Sequence, residues 1–312
     1  MRVCLGLDTS CYTTSAALCF LPDGSFFQAR KPLAVPRGNR GLSQSESVFQ
    51  HVTRLPALVE ALLAAHPKAE ITAVCASVKP RPVRDSYMPV FRVGEGVGRA
   101  VAAALGVPFW ETTHQEGHIR AARIGTDLAP DAPFLAVHLS GGTTEVLRCE
   151  RGGCTLLGGT LDLHAGQLID RVGVAMGLPF PAGPQLEALA GRGKTLARLT
   201  ASVRGLSCHF SGAEAQALRL LEAGAPQEEI AAEVFDCVAR TAARLLVNAS
   251  EGTGLTDALL GGGVASSALL RERIRGRVRK RRRGLRLHFA RPELAGDNAV
   301  GAAFLGAERG ER

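Results

Sequence analysis

Val3-Cys-Leu-Gly-Leu-Asp-Thr-Ser-Cys-Tyr-Thr-Thr-Ser-Ala-Ala-Leu18 and Phe134-Leu-Ala-Val-His-Leu-Ser-Gly-Gly-Thr-Thr-Glu-Val-Leu147 read as one device used twice. Each is an apolar strand, a turn of Ser, Thr or Gly, and a second β-prone strand. Tight turns of small residues expose backbone N–H groups, and such concavities hold phosphates. Two of them about 130 residues apart predict two related lobes gripping one nucleotide. The division expected is residues 1–110 for the first lobe and 111–312 for the second, with the last helix able to pack back on the first.

Around these hairpins the pattern alternates between strand and helix. Helices are expected near 46–65, 94–105, 166–176, 185–190, 212–223 and 227–250, with strands near 71–77, 258–260 and 285–289. The fold class is therefore α/β. Gly94-Glu-Gly-Val-Gly98 lacks the Gly-x-Gly-x-x-Gly spacing of a dinucleotide site, and close helix packing is the expected reason for its glycines. Gly261-Gly-Gly-Val264 follows a short buried strand, where a glycine turn lets a flat or phosphorylated ligand approach the backbone.

The 312 residues are 46% hydrophobic and 21% charged, an ordinary globular composition. No apolar run is long enough to span a bilayer. Asp8 comes too early for a signal peptide's apolar region, so a cytoplasmic location is expected. The eight cysteines form no Cys-x-x-Cys pair and are expected to be free thiols, mostly in the core. A net charge of +8 favours an anionic partner. Arg279, Lys280 and Arg281 lie in a run rich in arginine, which suits either an RNA backbone or a solvated helix end.

His114 and His118 in His-Gln-Glu-Gly-His are one helical turn apart, on one face and about 6 Å from each other. That spacing suits two imidazoles on one cation. Glu116, two residues on, points elsewhere. Zinc peptidases of the His-Glu-x-x-His type place their general base beside the ion, so hydrolysis by that route lacks its base here.

These motifs, taken in order, resemble the tRNA threonylcarbamoyl transferases of the actin-like ATPase (ASKHA) superfamily, once labelled O-sialoglycoprotein endopeptidases. The stretches that carry the resemblance are Asp8-Thr-Ser-Cys11, His114-x-Glu-Gly-His118, Ser140-Gly-Gly142, Ala165-Gly166 with Asp170, Pro181-Ala-Gly-Pro184, Phe210-Ser-Gly212, Gly262-Gly-Val264, and Ala290-Arg-Pro-Glu293 with Asp297-Asn298. The resemblance implies two RNase-H-like lobes, each a mixed sheet flanked by helices. It implies one divalent metal, Fe2+ or Zn2+, on His114, His118 and Asp297, with His138 as a fourth ligand or else a strand histidine satisfied by its neighbours. ATP or threonylcarbamoyl-AMP would be held by Asp8, Ser10, His138, Leu139, Ser140, Gly141, Gly142, Asp170, Gly183, Gly262, Gly263 and Ser267. The activity implied is transfer of a threonylcarbamoyl, or related carbamoyl, group from its adenylate to the N6 amine of a tRNA adenosine, with partner proteins supplying the adenylate.

The chain departs from that pattern near the chemistry. Tyr12-Thr13 stands where two acids are usual, Thr143 replaces a histidine, and Ser267 an asparagine. Leu163-His164 replaces an acid-alanine pair next to Asp162. A basic, proline-stiffened segment, Lys79 to Phe91, replaces a glycine-proline-glycine loop, and its Lys79, Arg81 and Arg84 suit tRNA or a solvated edge. The departures favour a divergent paralogue. Two other readings follow: a nucleotide- and metal-binding accessory subunit without transferase activity, and, last, a metallopeptidase.

Overall fold

The structure is a computed structural model that describes residues 1–10, 12–35, 42–129, 132–150, 153–196 and 198–310. Cys11 of the first hairpin lies outside them. The chain divides into two compact units, Met1–Ile124 with Gly296–Arg312, and Gly125–Ala295.

The first unit contains β1 (Arg2–Thr9), β2 (Thr13–Phe20), β3 (Phe26–Pro32), α1 (Gln44–Ala65), β4 (Glu70–Lys79), α2 (Phe91–Leu105), β5 (Phe109–Thr113), α3 (His114–Arg123) and the last helix, Val300–Gly310. Its sheet runs β3-β2-β1-β4-β5. β2 is antiparallel to both β1 and β3, while β4 and β5 run parallel to β1. Helices cover both faces of β1, so all its residues after Arg2 are buried. Such a strand reads as a continuous run of apolar and small residues instead of an alternation. In α1, Leu55, Val59 and Leu62 recur at helical spacing and bury against this sheet. Ser43 starts that helix by accepting a hydrogen bond from the Glu46 N–H (3.2 Å).

The second unit contains β6 (Phe134–Leu139), β7 (Thr144–Glu150), β8 (Gly153–Thr160), α4 (Ala165–Ala175), α5 (Gly183–Ala190), β9 (Ser202–Arg204), β10 (Ser207–His209), α6 (Ser211–Glu222), α7 (Gln227–Thr253), β11 (Asp257–Gly261), α8 (Ala268–Arg281) and β12 (Arg286–Phe289). Its sheet runs β12-β11-β6-β7-β8-β10-β9. Read from β8 to β12, five of these strands repeat the order and the senses of the first sheet. The duplicated hairpin in the sequence is thus the start of a duplicated five-stranded unit. The core of the second unit is built around α7, of which Val234, Phe235, Val238, Leu245 and Leu246 are fully buried.

Two expectations need correction. The boundary does not fall at 110/111, because α3 with the metal motif belongs to the first unit; the last helix belongs there too, as the expectation allowed. The reason is close backbone packing. A Cβ on Gly6 of β1 would run into the backbone of Ala299 and Ala303, and one on Gly301 would run into the backbone of Gly117 in α3. The cysteines are not all free thiols either. Cys149 and Cys154 stand directly opposite each other in the β7–β8 ladder, with Cα atoms 4.1 Å apart, and form a disulfide. Sequence spacing alone does not reveal that register. Cys4, Cys19, Cys75, Cys208 and Cys237 are buried and outside the disulfide, as expected. The Gly94–Gly98 stretch also behaves as expected: Gly98 packs against Phe109 and Leu7.

These approaches predict opposite outcomes for two glycine-to-alanine changes. Gly301→Ala places a methyl on the Gly117 backbone and should cost about 1–3 kcal/mol in urea unfolding. Gly276→Ala, in α8 with open space around the new methyl, should stabilise by roughly 0.5–1 kcal/mol.

Candidate metal centre

The sequence Thr113-His-Gln-Glu-Gly-His118 folds as the first turns of α3. Thr113 accepts from the Glu116 N–H (3.2 Å), and the Glu116 carboxylate accepts from the Thr113 N–H (2.9 Å) and hydroxyl (2.8 Å). This is a capping box. It gives Glu116 a structural task and turns it away from the imidazoles. His114 and His118 share the opposite face, and their Nε2 atoms lie 3.0 Å apart.

Asp297 reaches the pair from the segment leading into the last helix. Its Oδ1 is 3.2 Å from His118 Nε2 and 3.5 Å from His114 Nε2. Asn298 fixes that segment: its side-chain amide donates to the Gly296 carbonyl (2.8 Å) and its oxygen accepts from the Val300 N–H (3.0 Å). Among the described residues these are the three whose ligand atoms converge as a metal site requires. Two ligands held about 2.1 Å from one ion stand about 3.0 Å apart at a right angle and about 3.4 Å apart at a tetrahedral one. The observed triangle fits both. The donor set fits as well, because two imidazole lone pairs this close need a proton or a cation between them.

The shell behind the ligands sets their orientation. His114 Nδ1 faces both Asp8 oxygens, at 2.9 and 3.1 Å. A carboxylate only accepts, so Nδ1 carries the proton and Nε2 is the ligand atom. Asp8, expected at the nucleotide, instead orients an imidazole. Ser10, expected there too, donates from its hydroxyl to Asp297 Oδ2 (2.7 Å), leaving Oδ1 toward the histidines. Burial alone would lower the His114 pKa, but the Asp8 charge and the hydrogen bond to Asp297 outweigh it and hold the value well above the usual 6.5. Burial would likewise raise Asp297, yet the hydrogen bonds from His114 and His118 keep its carboxyl well below the usual range.

The remaining expected residues group in the second unit. His138 is buried on β6 and is not one of the three converging ligands. Leu139 follows it, and Ser140, Gly141 and Gly142 form the turn into β7, closed by a hydrogen bond from Ser140 N–H to the Thr143 carbonyl (2.8 Å). The N-terminus of α4 lies on this turn: Gly166 N–H donates to the Ser140 carbonyl (3.1 Å), and a Cβ at Gly166 would strike Gly141. Gly262 packs against His138 and Leu139 with a left-handed φ of 95°, and Gly263 follows it. Asp170 accepts from the Ala182 N–H (2.8 Å) at the turn before Gly183, and its pKa is raised by burial. Asp162 accepts from the N–H groups of Phe210 (2.8 Å) and Ser211 (3.1 Å), joining two motifs far apart in the chain.

Ser267, expected at the nucleotide, has local partners. It caps α8 by accepting from the Leu270 N–H (3.1 Å) and donates to Glu187 (2.6 Å). Sequence reasoning passed over Glu187, and also His51, a buried histidine of α1 whose pKa burial lowers. Neither lies in a recognisable motif. Arg279, Lys280 and Arg281 are exposed in the last turn of α8, where cations also complement the helix dipole. Lys79, Arg81 and Arg84 lie at or near the start of the basic segment. Its ends are pinned: Gln115 N–H donates to the Pro80 carbonyl (3.0 Å), and the Thr9 hydroxyl to the Val90 carbonyl (2.8 Å).

A proton on His114 Nε2 and a metal ion compete for one lone pair. Because the folded pKa is raised, metal affinity should fall tenfold per unit of pH below that value. The metal-free protein should show the reverse linkage: protonated His114 contributes stability in full below about 6.5, and loses it as pH rises through the folded value. Asp8→Asn should weaken zinc binding at pH 8 by about 10–100-fold and shift the pH dependence of binding to lower pH, as measured by chelator competition.

The chain resembles known proteins in sequence and in fold. A family profile for tRNA N6-adenosine threonylcarbamoyltransferase matches residues 39–304. The transferase of that name from Aromatoleum aromaticum is 31% identical over 317 residues, covering 98% of this chain and 90% of the relative. That from Methanopyrus kandleri is 30% identical over 311 residues, covering 97% and 86%. Solved structures share the fold at low identity. HypF from T. kodakarensis has a TM-score of 0.66 at 16% identity, over 99% of this chain and 47% of that one. Component A of (R)-2-hydroxyglutaryl-CoA dehydratase from Acidaminococcus fermentans has 0.57 at 15%, over 100% of both. A ROK family glucokinase from Streptomyces griseus has 0.55 at 15%, over 98% and 99%. These neighbours show the fold, the actin-like ATPase (ASKHA) fold. With a match over most of its length and relatives at this identity, the chain belongs to the tRNA N6-adenosine threonylcarbamoyltransferase family.

Proposed function

We propose that this chain transfers a threonylcarbamoyl, or related carbamoyl, group from its adenylate to the N6 amine of an adenosine in tRNA, using one divalent metal, Fe2+ or Zn2+. The observation that carries the reading is the convergence of His114, His118 and Asp297 in a member of this family. The bound ion would act as a Lewis acid on phosphate or carbamoyl oxygens. In the transfer, the amine attacks the carbamoyl carbon, a C–N bond forms, and the C–O bond to AMP breaks as the amine loses its proton. Asp8 and Ser10 hold the ligands in orientation, so little reorganisation is needed during the reaction. The small residues Ser140, Gly141 and Gly142 leave room for an adenylate, with His138, Leu139, Asp170, Gly183, Gly262 and Gly263 as its neighbours. His138 as a further ligand belongs to the same reading. We place the reaction in the cytoplasm, with partner proteins supplying the adenylate; no described helix is long and apolar enough to cross a membrane.

The acceptor side falls to the basic groups. The segment bearing Arg81 and Arg84 starts beside α3 and ends beside β1, and exposes Tyr87 with the Arg92 guanidinium over its ring. Cations next to an exposed aromatic ring suit a single-stranded loop, whose phosphates pair with charge and whose bases stack. Arg279, Lys280 and Arg281 suit a more distant stretch of backbone. A second reading is supported by Ser267, whose hydroxyl is engaged by Leu270 and Glu187: an accessory subunit that binds nucleotide and metal without turnover. Peptide hydrolysis is disfavoured, because Glu116 is held in the capping box.

Incubation with threonylcarbamoyl adenylate, metal and unmodified tRNA should yield the modified adenosine by mass spectrometry, and His118→Ala should reduce it to background. Adenylate binding without product under any partner combination would instead support the accessory reading. Replacing Lys79, Arg81 and Arg84 with Ala should weaken tRNA binding and lower the slope of log K against log salt by about 0.7–0.9 for each phosphate that is no longer neutralised.

A further inference from the structure

His51 is fully buried in the first unit, and both of its ring nitrogens are engaged by the first hairpin. Nε2 lies 2.8 Å from the Ser10 carbonyl, and Nδ1 lies 2.8 Å from the Thr14 hydroxyl. A carbonyl only accepts, so Nε2 carries the proton and Nδ1 accepts from Thr14. One imidazole thus ties the Ser10 peptide, just past the end of β1, to the start of β2. The Ser10 hydroxyl in turn donates to Asp297 Oδ2 (2.7 Å), and Asp297 Oδ1 faces His118 at 3.2 Å.

We propose that His51 is a positioning residue for the metal centre, holding the Ser10 peptide so that the Ser10 hydroxyl keeps Asp297 turned toward His114 and His118. This rests on the metal reading given above. A fully buried imidazole needs a partner for each nitrogen, whereas an apolar side chain of similar size would fill the same space without that demand. The histidine supplies a directional bond. Without it the Ser10 peptide is free to turn, and the hydroxyl that aligns the carboxylate moves with it. Outer partners of this kind commonly change metal affinity 10–100-fold.

The test compares wild type, His51→Leu and His51→Gln for Zn2+ affinity by chelator competition and for the visible absorption of bound Co2+. His51→Leu should bind Zn2+ about tenfold or more weakly and alter the Co2+ bands. His51→Gln keeps an N–H donor within reach of the Ser10 carbonyl and should recover most of both signals, which a role in packing alone would not produce. Wild-type affinity and an unchanged Co2+ spectrum in folded His51→Leu would overturn the proposal while leaving the metal reading intact. Failure of the wild type to take up metal would overturn both. Two further measurements do not depend on how the Leu variant folds. Ser10→Ala should weaken Zn2+ binding to a similar degree, and 15N NMR of wild type at pH 7.5 should show His51 as the Nε2–H tautomer. Unchanged Zn2+ affinity in Ser10→Ala, or the Nδ1–H tautomer, would overturn it.

Discussion

The approach of the last helix to β1 and α3, backbone against backbone, is the constraint on which the metal centre depends. Gly6 admits Ala299 and Ala303, while Gly301 admits the Gly117 backbone. Only this packing brings Asp297 to a histidine 179 residues earlier in the chain. A methyl at Gly6 or Gly301 would push the helix outward. Asn298 then fixes how the chain enters that helix, and so where the carboxylate stands. A carboxylate placed by a helix start is held more tightly than one on a free loop, and a metal site requires that precision.

Within α3 the short motif divides its work by position. Glu116 closes the capping box with Thr113, while His114 and His118 present their Nε2 atoms on one face. Glu116 is therefore as determined as the histidines. The polar layer behind them follows the same logic: Asp8 fixes the tautomer of His114, and Ser10 leaves one oxygen of Asp297 free to face the pair. Two carboxylates around two imidazoles favour a cation there, and they also explain why His114 holds a proton so firmly without one.

Much of the fold was legible because it is written in local periodicity. The hairpins at Val3–Leu18 and Phe134–Leu147, the helical spacing of α1 and α7, and the glycine turn after β11 all appear where the pattern puts them. The strand order of the second sheet repeating the first is the structural counterpart of the repeated hairpin. What could not be read was the identity of long-range partners. Asp8 and Ser10 looked like phosphate ligands, since small polar residues in a hairpin have that local chemistry, yet their hydrogen bonds go to His114 and Asp297. Ser267 looked like a shortened nucleotide ligand, but it caps the helix that follows it. Cys149 and Cys154 looked like unrelated thiols until strand register set them face to face.

By itself the sequence determined the α/β class, the two hairpins, the pairing of His114 with His118, and the direction of Glu116, because each of these is settled by neighbours within a turn or two of chain. Asp297 as third ligand was expected from the family resemblance, but tertiary structure alone decided that α3 belongs to the first unit, how Asp297 reaches the two imidazoles, and that His51, Ser10 and Asp8 stand behind it. Those pairings join residues far apart in the chain, and a meeting at such separation depends on how whole elements pack, which no local pattern encodes.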